Sequence, residues 1–166
     1  MSLEVQTRGE TFTSATLSDF GEAARTGMQA AFPHPNYGAR TFILCKASGT
    51  IADGLSFKKD TTSSTTVTVV VGAAKEDTCM GVNNTGKTLV AGDHFWGLRE
   101  GMGYCDKGAN SWSDGDQITL GAAGVFNTLG ATGLGKVVGV AIVDSSTTVT
   151  SNLILFSFPG TGSAAS

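Results

Sequence analysis

The sequence is poor in charge and in long apolar stretches. Charged residues make up 15% of its 166 residues, and Lys and Arg form no run anywhere. Because phosphate binding draws its affinity from clustered cations, we expect no direct nucleic-acid partner. No stretch has the apolar length of a membrane span, so we expect no membrane partner. The first residues lack the basic start and apolar core of a secretory signal, which predicts folding in the cytoplasm where the chain is made.

Cysteine and histidine are also scarce. Cys45, Cys79 and Cys105 are odd in number, widely spaced and set among strand-like residues, so we predict buried reduced thiols rather than disulfides or a zinc site. His34 and His94 are the two histidines, and no Gly-x-Ser-x-Gly elbow accompanies them. We therefore expect no nucleophilic triad and assign both histidines to a surface or interface. The chain is predicted not to be an enzyme and to use no cofactor and no metal.

Glycine, in contrast, is abundant. The 23 glycines, with many Ser and Thr and only 3 prolines, are typical of short strands joined by tight turns. A chain of this length buries roughly two thirds of its unfolded surface in one domain. The composition predicts a single, mainly β domain.

A short module occurs twice in the sequence. The segment Ile51–Phe57 returns 61 positions later as Trp112–Ile118, with Asp-Gly at the same place in both. The segment Met80–Val82 returns 58 positions later within Val138–Ala141. Such self-similarity predicts two pseudo-repeated halves of one compact body and directs the search for function toward surfaces.

The chain divides into four predicted parts. Residues 1–16 form an extended N-terminal arm, and residues 17–40 a short amphipathic helix followed by a Pro-containing loop. The helix is predicted over 17–32, because apolar positions step by three and four until Pro33 and Pro35 end it. Residues 41–158 form the β-rich body and residues 159–166 a flexible tail.

The body alternates with period two and is rich in β-branched residues, which predicts nine strands. Because the connections are short and no helix intervenes, we expect antiparallel pairing in a β-barrel or β-tulip-like body, with a sandwich as the alternative. The predicted strands are Thr41–Lys46, Leu55–Lys58, Thr65–Val71, Thr78–Val82, Phe95–Arg99, Gly103–Asp106, Gln117–Leu120, Lys136–Val143 and Asn152–Phe158.

One segment matches the phosphate-loop pattern G-x-x-x-x-G-K-[ST]. It runs from Gly81 to Thr88, and Lys87 and Thr88 would bind phosphate and magnesium if a helix began at the lysine. The next residues include Gly92-Asp93 and then a predicted strand, so that helix is not expected. In the second copy of the module no lysine follows in register. We therefore interpret the segment as a polar turn after a strand.

Two further residue classes are assigned from their context. The carboxylates Asp53, Asp93, Asp114 and Asp116 lie beside glycines and are interpreted as turn residues. The larger apolar side chains of the N-terminal parts and the densest aromatic group are the candidates for contacts with another subunit or with a partner. These candidates are Leu3, Val5, Phe12, Leu17, Phe20, Met28, Phe32, Phe95, Trp96 and Tyr104.

The order of turns and strands resembles that of the head decoration, or cement, proteins of tailed bacteriophages. The resemblance covers about residues 41–158 and rests on turn spacing and composition. Its elements are Gly49–Gly54, Gly81-Val82, Ala91–Asp93, Asp114–Ile118, Gly124, Val138–Ala141 and Leu153–Phe156.

The resemblance implies a trimeric β-barrel or β-tulip protein that binds the outside of an icosahedral capsid and clamps neighbouring major capsid proteins. The partner would be the major capsid protein, the location the capsid exterior of the virion, and the arm would reach across the shell. A glycan- or receptor-binding module of a phage tail or surface, with Trp96 or Trp112 stacking on sugars, is the alternative. A nucleotide-binding protein that uses Lys87 and Thr88 is the third hypothesis.

Overall fold

The computed structural model describes residues 26–62, 68–72, 79–129, 137–146, 148 and 151–158. These residues form ten β-strands and a single 3-10 turn at Ala122–Gly124. In chain order the strands are β1 (Gln29–His34), β2 (Gly38–Ala47), β3 (Ser56–Lys59), β4 (Thr68–Val71), β5 (Cys79–Val82), β6 (His94–Asp106), β7 (Gln117–Leu120), β8 (Phe126–Thr128), β9 (Gly139–Ala141) and β10 (Ser151–Ser157). The predicted class, a mainly β domain, is confirmed.

All ten strands belong to one sheet, with the order β1-β2-β4-β3-β5-β6-β10-β9-β7-β8. The pairings are antiparallel except for β2 with β4, which run parallel. Strand β2 also pairs with β6, from Thr41 opposite Glu100 to Lys46 opposite His94. The strands β2, β4, β3, β5 and β6 therefore close into a ring, while the remaining strands leave the whole sheet open at β1 and β8.

The predicted repeat is present in the pairing register itself. Phe57 lies opposite Gly81 where β3 pairs with β5, and Ile118 lies opposite Gly139 where β7 pairs with β9. These pairs occupy matching positions of the two sequence copies. The second module is thus β6-β7-β8-β9-β10, equivalent in order to β2-β3-β4-β5-β6 of the first, and the long strand β6 belongs to both.

The connections outside the strands repeat as well. An isolated antiparallel bridge joins Ile51 to Leu89 in the first module, and another joins Trp112 to Ser145 in the second. The two Asp-Gly turns place Gly54 and Gly115 at φ of +82° and +86°. Glycine adopts this left-handed conformation without the steric cost that a Cβ would bring. Both turns therefore have the same conformational requirement.

The paired strands β2 and β6 lie between two hydrophobic cores and contribute side chains to both. Alternate residues of a strand point to opposite faces, so Ile43 and Phe95 enter the core inside the ring of the first module. Phe42, Leu44 and Leu98 enter the second core. The second core is completed by apolar side chains of the second module, namely Cys105, Trp112, Ile118, Leu120, Phe126, Val138, Ala141, Ile154 and Phe156, together with Phe158 beyond β10.

Most predicted strands match observed ones, and apart from β1 there are two differences. The predicted strands Phe95–Arg99 and Gly103–Asp106 are one continuous strand, because Gly101, at φ +100°, carries the chain through the intervening residues without ending it. Strand β8 was not predicted, since its three residues contain one buried apolar side chain and give too short an alternation. Residues 63–67, 73–78, 130–136, 147 and 149–150, which include parts of the predicted strands, lie outside the described residues.

The helix predicted over 17–32 is wrong for its last part. Residues Gln29–His34 form β1, which pairs antiparallel with β2 along six residues. Ala30 and Phe32 lie on the inner face of this strand and pack against the second core. This tertiary contact outweighs the weak three-and-four spacing of apolar residues. Strand structure thus begins before residue 41; residues 17–25, the arm and the tail lie outside the described residues.

Candidate interaction surface

The outer face of the second module carries an apolar row that crosses three strands. Leu155 of β10 lies opposite Val140 of β9 on one side and opposite Met102 of β6 on the other. Leu155 is 47% exposed and Val140 37% exposed, and Met102 is half-buried. We call Val140, Leu155 and Met102 the exposed row. Residues directly opposite in antiparallel strands place their side chains on one face, so the row is continuous.

Two partly buried residues extend this face. Leu153 of β10 lies opposite Tyr104 of β6, next to the exposed row, and both are half-buried. Tyr104 is one of the interface candidates from the sequence, and the structure thus places it beside the largest exposed side chain of this sheet face. The other members of the face were not predicted.

A matching row exists in the first module, and it is buried. Leu98 of β6 lies opposite Val82 of β5 and opposite Phe42 of β2. We call Val82, Leu98 and Phe42 the buried row. Each has an exposed fraction of at most 2% and belongs to the second core. The same cross-strand arrangement is therefore covered in one module and open in the other.

The hairpin of β1 and β2 forms a second surface. Met28 and Phe32, both interface candidates, are half-buried and pack on the second core. The ring of Phe32 lies 6.1 Å from that of Phe42 and 6.2 Å from that of Trp96. At the hairpin turn, His34 stacks on Tyr37 with 4.5 Å between ring centroids. The turn itself is exposed.

The buried Arg40 packs against aromatic rings at and beside this hairpin turn. Its guanidinium carbon lies 5.8 Å from the ring centroid of Tyr37 and 5.2 Å from that of Phe42. The pKa of Arg40 is lowered from its usual value, because burial disfavours the charged form. Stacking of a guanidinium on two rings stabilises the turn in its observed shape.

The remaining described candidates lie in the interior. Phe95 has no exposed surface and packs edge-on against Phe57, 5.3 Å between centroids; it offers a partner no contact area. Trp96 is buried in the second core. Trp112 is buried as well, so neither indole offers an open face for stacking on a sugar. Leu3, Val5, Phe12, Leu17 and Phe20 lie outside the described residues, and their interface role stays a prediction.

The phosphate-loop match is a turn built around one buried amide. The Nδ2 of Asn83 donates to the carbonyl oxygens of Ile51 and Lys87, at 3.0 and 2.9 Å. Its Oδ1 accepts from the backbone N–H and the hydroxyl of Thr85. After Lys87 and Thr88 the chain makes the isolated bridge at Leu89 and then the turn before β6. No helix begins at Lys87 in this described stretch, so the geometry of a phosphate loop is not formed.

The four acidic residues lie in or next to turns, as predicted, and three of their carboxylates accept a backbone N–H. The carboxylate of Asp53 accepts the N–H of Gly86, that of Asp93 the N–H of Val90, and that of Asp116 the N–H of Ser113, each at 2.8 Å. Asp114 differs, because its own backbone N–H donates to the carboxylate of Asp144. Within the described ranges, His, Cys, Asp and Glu side chains form no group of three that could hold a metal ion.

The three thiols are buried and form no disulfide, as predicted. Cys45, Cys79 and Cys105 all lie in the interior. Burial raises the pKa of Cys45 and of Cys105 far above the ordinary thiol value, because the thiolate would lose its hydration. The two thiols whose pKa is raised are therefore chemically inert groups of the interior.

The surface assignment of the histidines is wrong for His94. His94 is buried at the start of β6, and its pKa is lowered by burial and by the nearby charge of Lys46. His34 is half-buried at the hairpin turn, where its Nδ1 accepts the N–H of Asn36 at 3.2 Å. Its pKa is lowered too, through desolvation and the charge of Arg40.

Among the residues described, no helix has the length and apolarity to cross a bilayer. No protein-family model matches the chain, and no curated protein matches it. The fold is similar to that of the head fiber gp8.5 N base of bacteriophage phi29, with a TM-score of 0.50 and 12% sequence identity. The similarity covers 78% of this chain and 95% of that one. At this identity the likeness concerns the fold.

Proposed function

We propose that the chain is a structural protein of a phage particle. The observation that carries this proposal is the likeness to the phi29 head fiber N base, because the aligned region covers 95% of that chain and so includes nearly the whole base. The turn and strand order that resembles head decoration proteins supports it independently. The proposal requires no catalytic step.

More specifically, we propose that the protein binds the outer surface of an icosahedral capsid and stabilises the shell by clamping neighbouring major capsid proteins. A clamp needs a stiff body that keeps its contact points at fixed spacing. The ring of β2, β4, β3, β5 and β6 and the shared strand β6 supply such a body. The low charge of the chain suits broad, shallow contacts rather than a charged cleft.

Attachment would be multivalent. Three copies joined as a homotrimer engage several capsid subunits at once, so modest single contacts add up to durable attachment. The N-terminal arm and the neighbouring hairpin of β1 and β2, which includes Met28 and Phe32, are the segments that we assign to the shell. An arm that orders on docking loses some affinity to ordering entropy and gains reach.

The test uses the full chain and expanded capsids made from the major capsid protein of the same phage. We expect the protein to sediment with the capsids and to raise the temperature at which they disrupt. A variant that lacks residues 1–16 is expected to bind more weakly, and unexpanded shells serve as the control. Protein that stays in the supernatant at all concentrations contradicts the proposal, and glycan-array binding in that case favours the receptor-binding alternative.

A further inference from the structure

We propose that Arg40 is the binding site for one carboxylate group, supplied by an acidic side chain of a protein that contacts the hairpin of β1 and β2. Arg40 is 3% exposed, and its Nε and Nη2 are buried without a hydrogen-bond partner. Binding of a carboxylate is a property of this chain alone, whereas the source of that carboxylate rests on the proposed function.

The two unpartnered nitrogens form one edge of the guanidinium group. The N–H bonds along this edge are parallel, and this pair is the fork that binds both oxygens of a carboxylate. Such charge-assisted hydrogen bonds are roughly twice as strong as those between neutral groups. Because a buried charge without partners is costly, buried cations are normally paired. The vacant edge of Arg40 therefore has the shape and the charge of a carboxylate site.

Among the described residues, no carboxylate takes this place. Glu100 of β6 lies opposite Thr41, and its Oε2 lies 3.4 Å from the Thr41 hydroxyl. Because successive residues of a strand point to opposite faces, this pair lies on the other face of β2 from Arg40. The pKa of Arg40 is governed by burial and by the phenol of Tyr37, and no described carboxylate contributes to it.

Lys107 shows how this fold accommodates a buried cation. Its Nζ donates to two backbone carbonyl oxygens and also lies over the ring of Trp112. Arg40 has comparable ring contacts, with Tyr37 and Phe42, but its Nε and Nη2 have no acceptor. The element missing at Arg40 is thus an acceptor and not an aromatic ring.

The hairpin turn provides the entry to this site. The ring centroid of Tyr37 lies 5.8 Å from the guanidinium carbon, and this half-buried ring stacks on His34. A Cβ built on the next residue, Gly38, meets nothing within 4 Å, so the space beside the turn is open. Because exposed side chains change rotamer rapidly, a shift of the Tyr37 ring is the opening that we assign to carboxylate entry.

The surroundings of the guanidinium favour a singly charged ligand. Phe32 lies opposite Arg40 across the hairpin, and Phe42 contacts the guanidinium. Neither ring offers a donor to a further oxygen. One guanidinium neutralises one carboxylate, whereas a doubly charged phosphate would keep an uncompensated charge beside apolar rings.

The first experiment adds sodium acetate to the full chain at pH 7, with sodium chloride at equal ionic strength as the reference. The probe is the proton NMR resonance of the Arg40 Nε–H, identified by its absence in Arg40→Lys. We expect this resonance to move to lower field and to saturate. The melting temperature should rise in parallel, because acetate at about ten times its Kd multiplies the folding equilibrium constant about tenfold.

Three variants test whether the response belongs to Arg40. Arg40→Met should abolish the acetate-dependent rise, and Arg40→Lys should abolish most of it, because an ammonium group lacks the parallel donors. Lys87→Met is the matched control, since it removes an exposed cation from a different turn, and it should respond like the unmodified protein. Circular dichroism checks the fold of each variant. The titration of the Nε–H resonance decides even if Arg40→Met does not fold.

Three results overturn the proposed site. The first is an Nε–H resonance that acetate moves no further than chloride does. The second is a resonance that lies at the carboxylate-bound position before acetate is added, because the chain then fills the site itself. The third is an acetate-dependent rise in melting temperature that is equal in Arg40→Met and the unmodified protein.

The second experiment tests the source of the carboxylate by sedimentation with expanded capsids of the same phage. Arg40→Met is expected to bind at least about tenfold more weakly, because a hydrogen bond to a charged group is lost. Equal binding by this variant overturns a capsid carboxylate as the source and leaves the acetate result standing. An unmodified protein that binds acetate but no capsid contradicts the proposed function and not the site.

Discussion

The ring of Phe57 occupies the space that a side chain at Gly97 would need. A Cβ built on Gly97 of β6 would lie 2.2 Å from Cζ of Phe57, and one built on Gly81 of β5 would lie 2.8 Å from the same atom. Strand β3, which carries Phe57, pairs with β5, and β5 pairs with β6. Two glycines on neighbouring strands thus make room for one large ring in the core of the first module.

This contact predicts a large effect of Gly97→Ala. The added methyl group overlaps the phenyl group of Phe57. This side chain lies inside the closed set of strands of the first module and has little room to move. We expect the free energy of unfolding to fall by about 1–3 kcal/mol, the usual cost of overpacking a core. Urea unfolding followed by circular dichroism measures it.

Two further variants separate overpacking from a general effect of alanine. Gly49→Ala is the control, because a Cβ at Gly49 meets nothing within 4 Å, and it should be nearly neutral. The double variant Gly97→Ala with Phe57→Leu should cost less than the sum of the single changes, since the smaller side chain relieves the overlap. Additive costs would mean that the ring and the glycine do not compete for the same space.

The turns and the repeat were predictable because they depend on local chemistry. Asp-Gly pairs determine a backbone conformation by themselves, and Gly54 and Gly115 adopt it in both modules. The matching register of Phe57 with Gly81 and of Ile118 with Gly139 follows from the same spacing. The closure of the first module through β2 and β6 was not predictable in detail, because it depends on contacts between distant segments.

The errors have the same physical origin. Over Gln29–His34 the sequence fits both a helical spacing and a strand alternation. The packing of Phe32 on Phe42 and Trp96 selects the strand. The exposed row was missed because Leu155 and Val140 lie in apolar runs, which sequence reasoning places in a core. The unbroken run Leu153–Phe156 was the signal that β10 carries apolar side chains on both faces.

Two residues of the phosphate-loop segment are expected to contribute very differently to stability. Asn83 is buried and makes hydrogen bonds through both atoms of its amide, whereas the side chain of Lys87 is exposed. Asn83→Ala leaves the backbone N–H of Thr85 without its acceptor and removes one of the two donors to the carbonyl oxygen of Ile51. It is expected to lower the free energy of unfolding by about 1–3 kcal/mol. Lys87→Ala should change it by less than about 0.5 kcal/mol.

The same pair tests the nucleotide-binding hypothesis. Because the loop is filled by the side chain of Asn83, we expect ATP with magnesium to leave the melting temperature of the unmodified protein unchanged. A ligand that binds the folded state raises it in proportion to its occupancy. A rise that disappears in Lys87→Ala would show that the loop binds nucleotide after all.

Lys107 is a buried cation whose role no sequence pattern indicated. It has no exposed surface, and its Nζ donates to the carbonyl oxygens of Asn110 and Ser146, the latter at 2.7 Å. The same nitrogen lies 5.7 Å from the ring centroid of Trp112. The ammonium group thus joins the loop after β6 to the segment after β9.

Lys107→Met should therefore destabilise the second module. The substitution keeps the length of the side chain and removes its donors, so two carbonyl groups lose their partner at about 1–3 kcal/mol. Lys46 stands at the matching position of the first module and is half-buried, which makes Lys46→Met the control. We expect a clear loss of unfolding free energy for the first variant and a smaller one for the second. Equal losses would assign no special role to the ammonium of Lys107.

The buried thiols predict a loss of stability in alkaline solution. In the folded protein burial raises the pKa of Cys45 and Cys105, while in the unfolded chain a thiol ionises near about pH 8.5. Above that pH the unfolded chain binds fewer protons than the folded one, so stability falls as pH rises. Below it both states hold the proton, and the full contribution of each thiol is present.

The expected slope is about 1.4 kcal/mol per pH unit for each thiol once the unfolded chain is fully ionised. Urea unfolding from pH 7 to pH 10 under reducing conditions measures it, and the double variant Cys45→Ala with Cys105→Ala is the comparison. The variant should be less stable at pH 7, because the side chains are core residues, and its curve should fall less steeply above about pH 8.5. Parallel curves for the two proteins would show that these thiols ionise alike in both states.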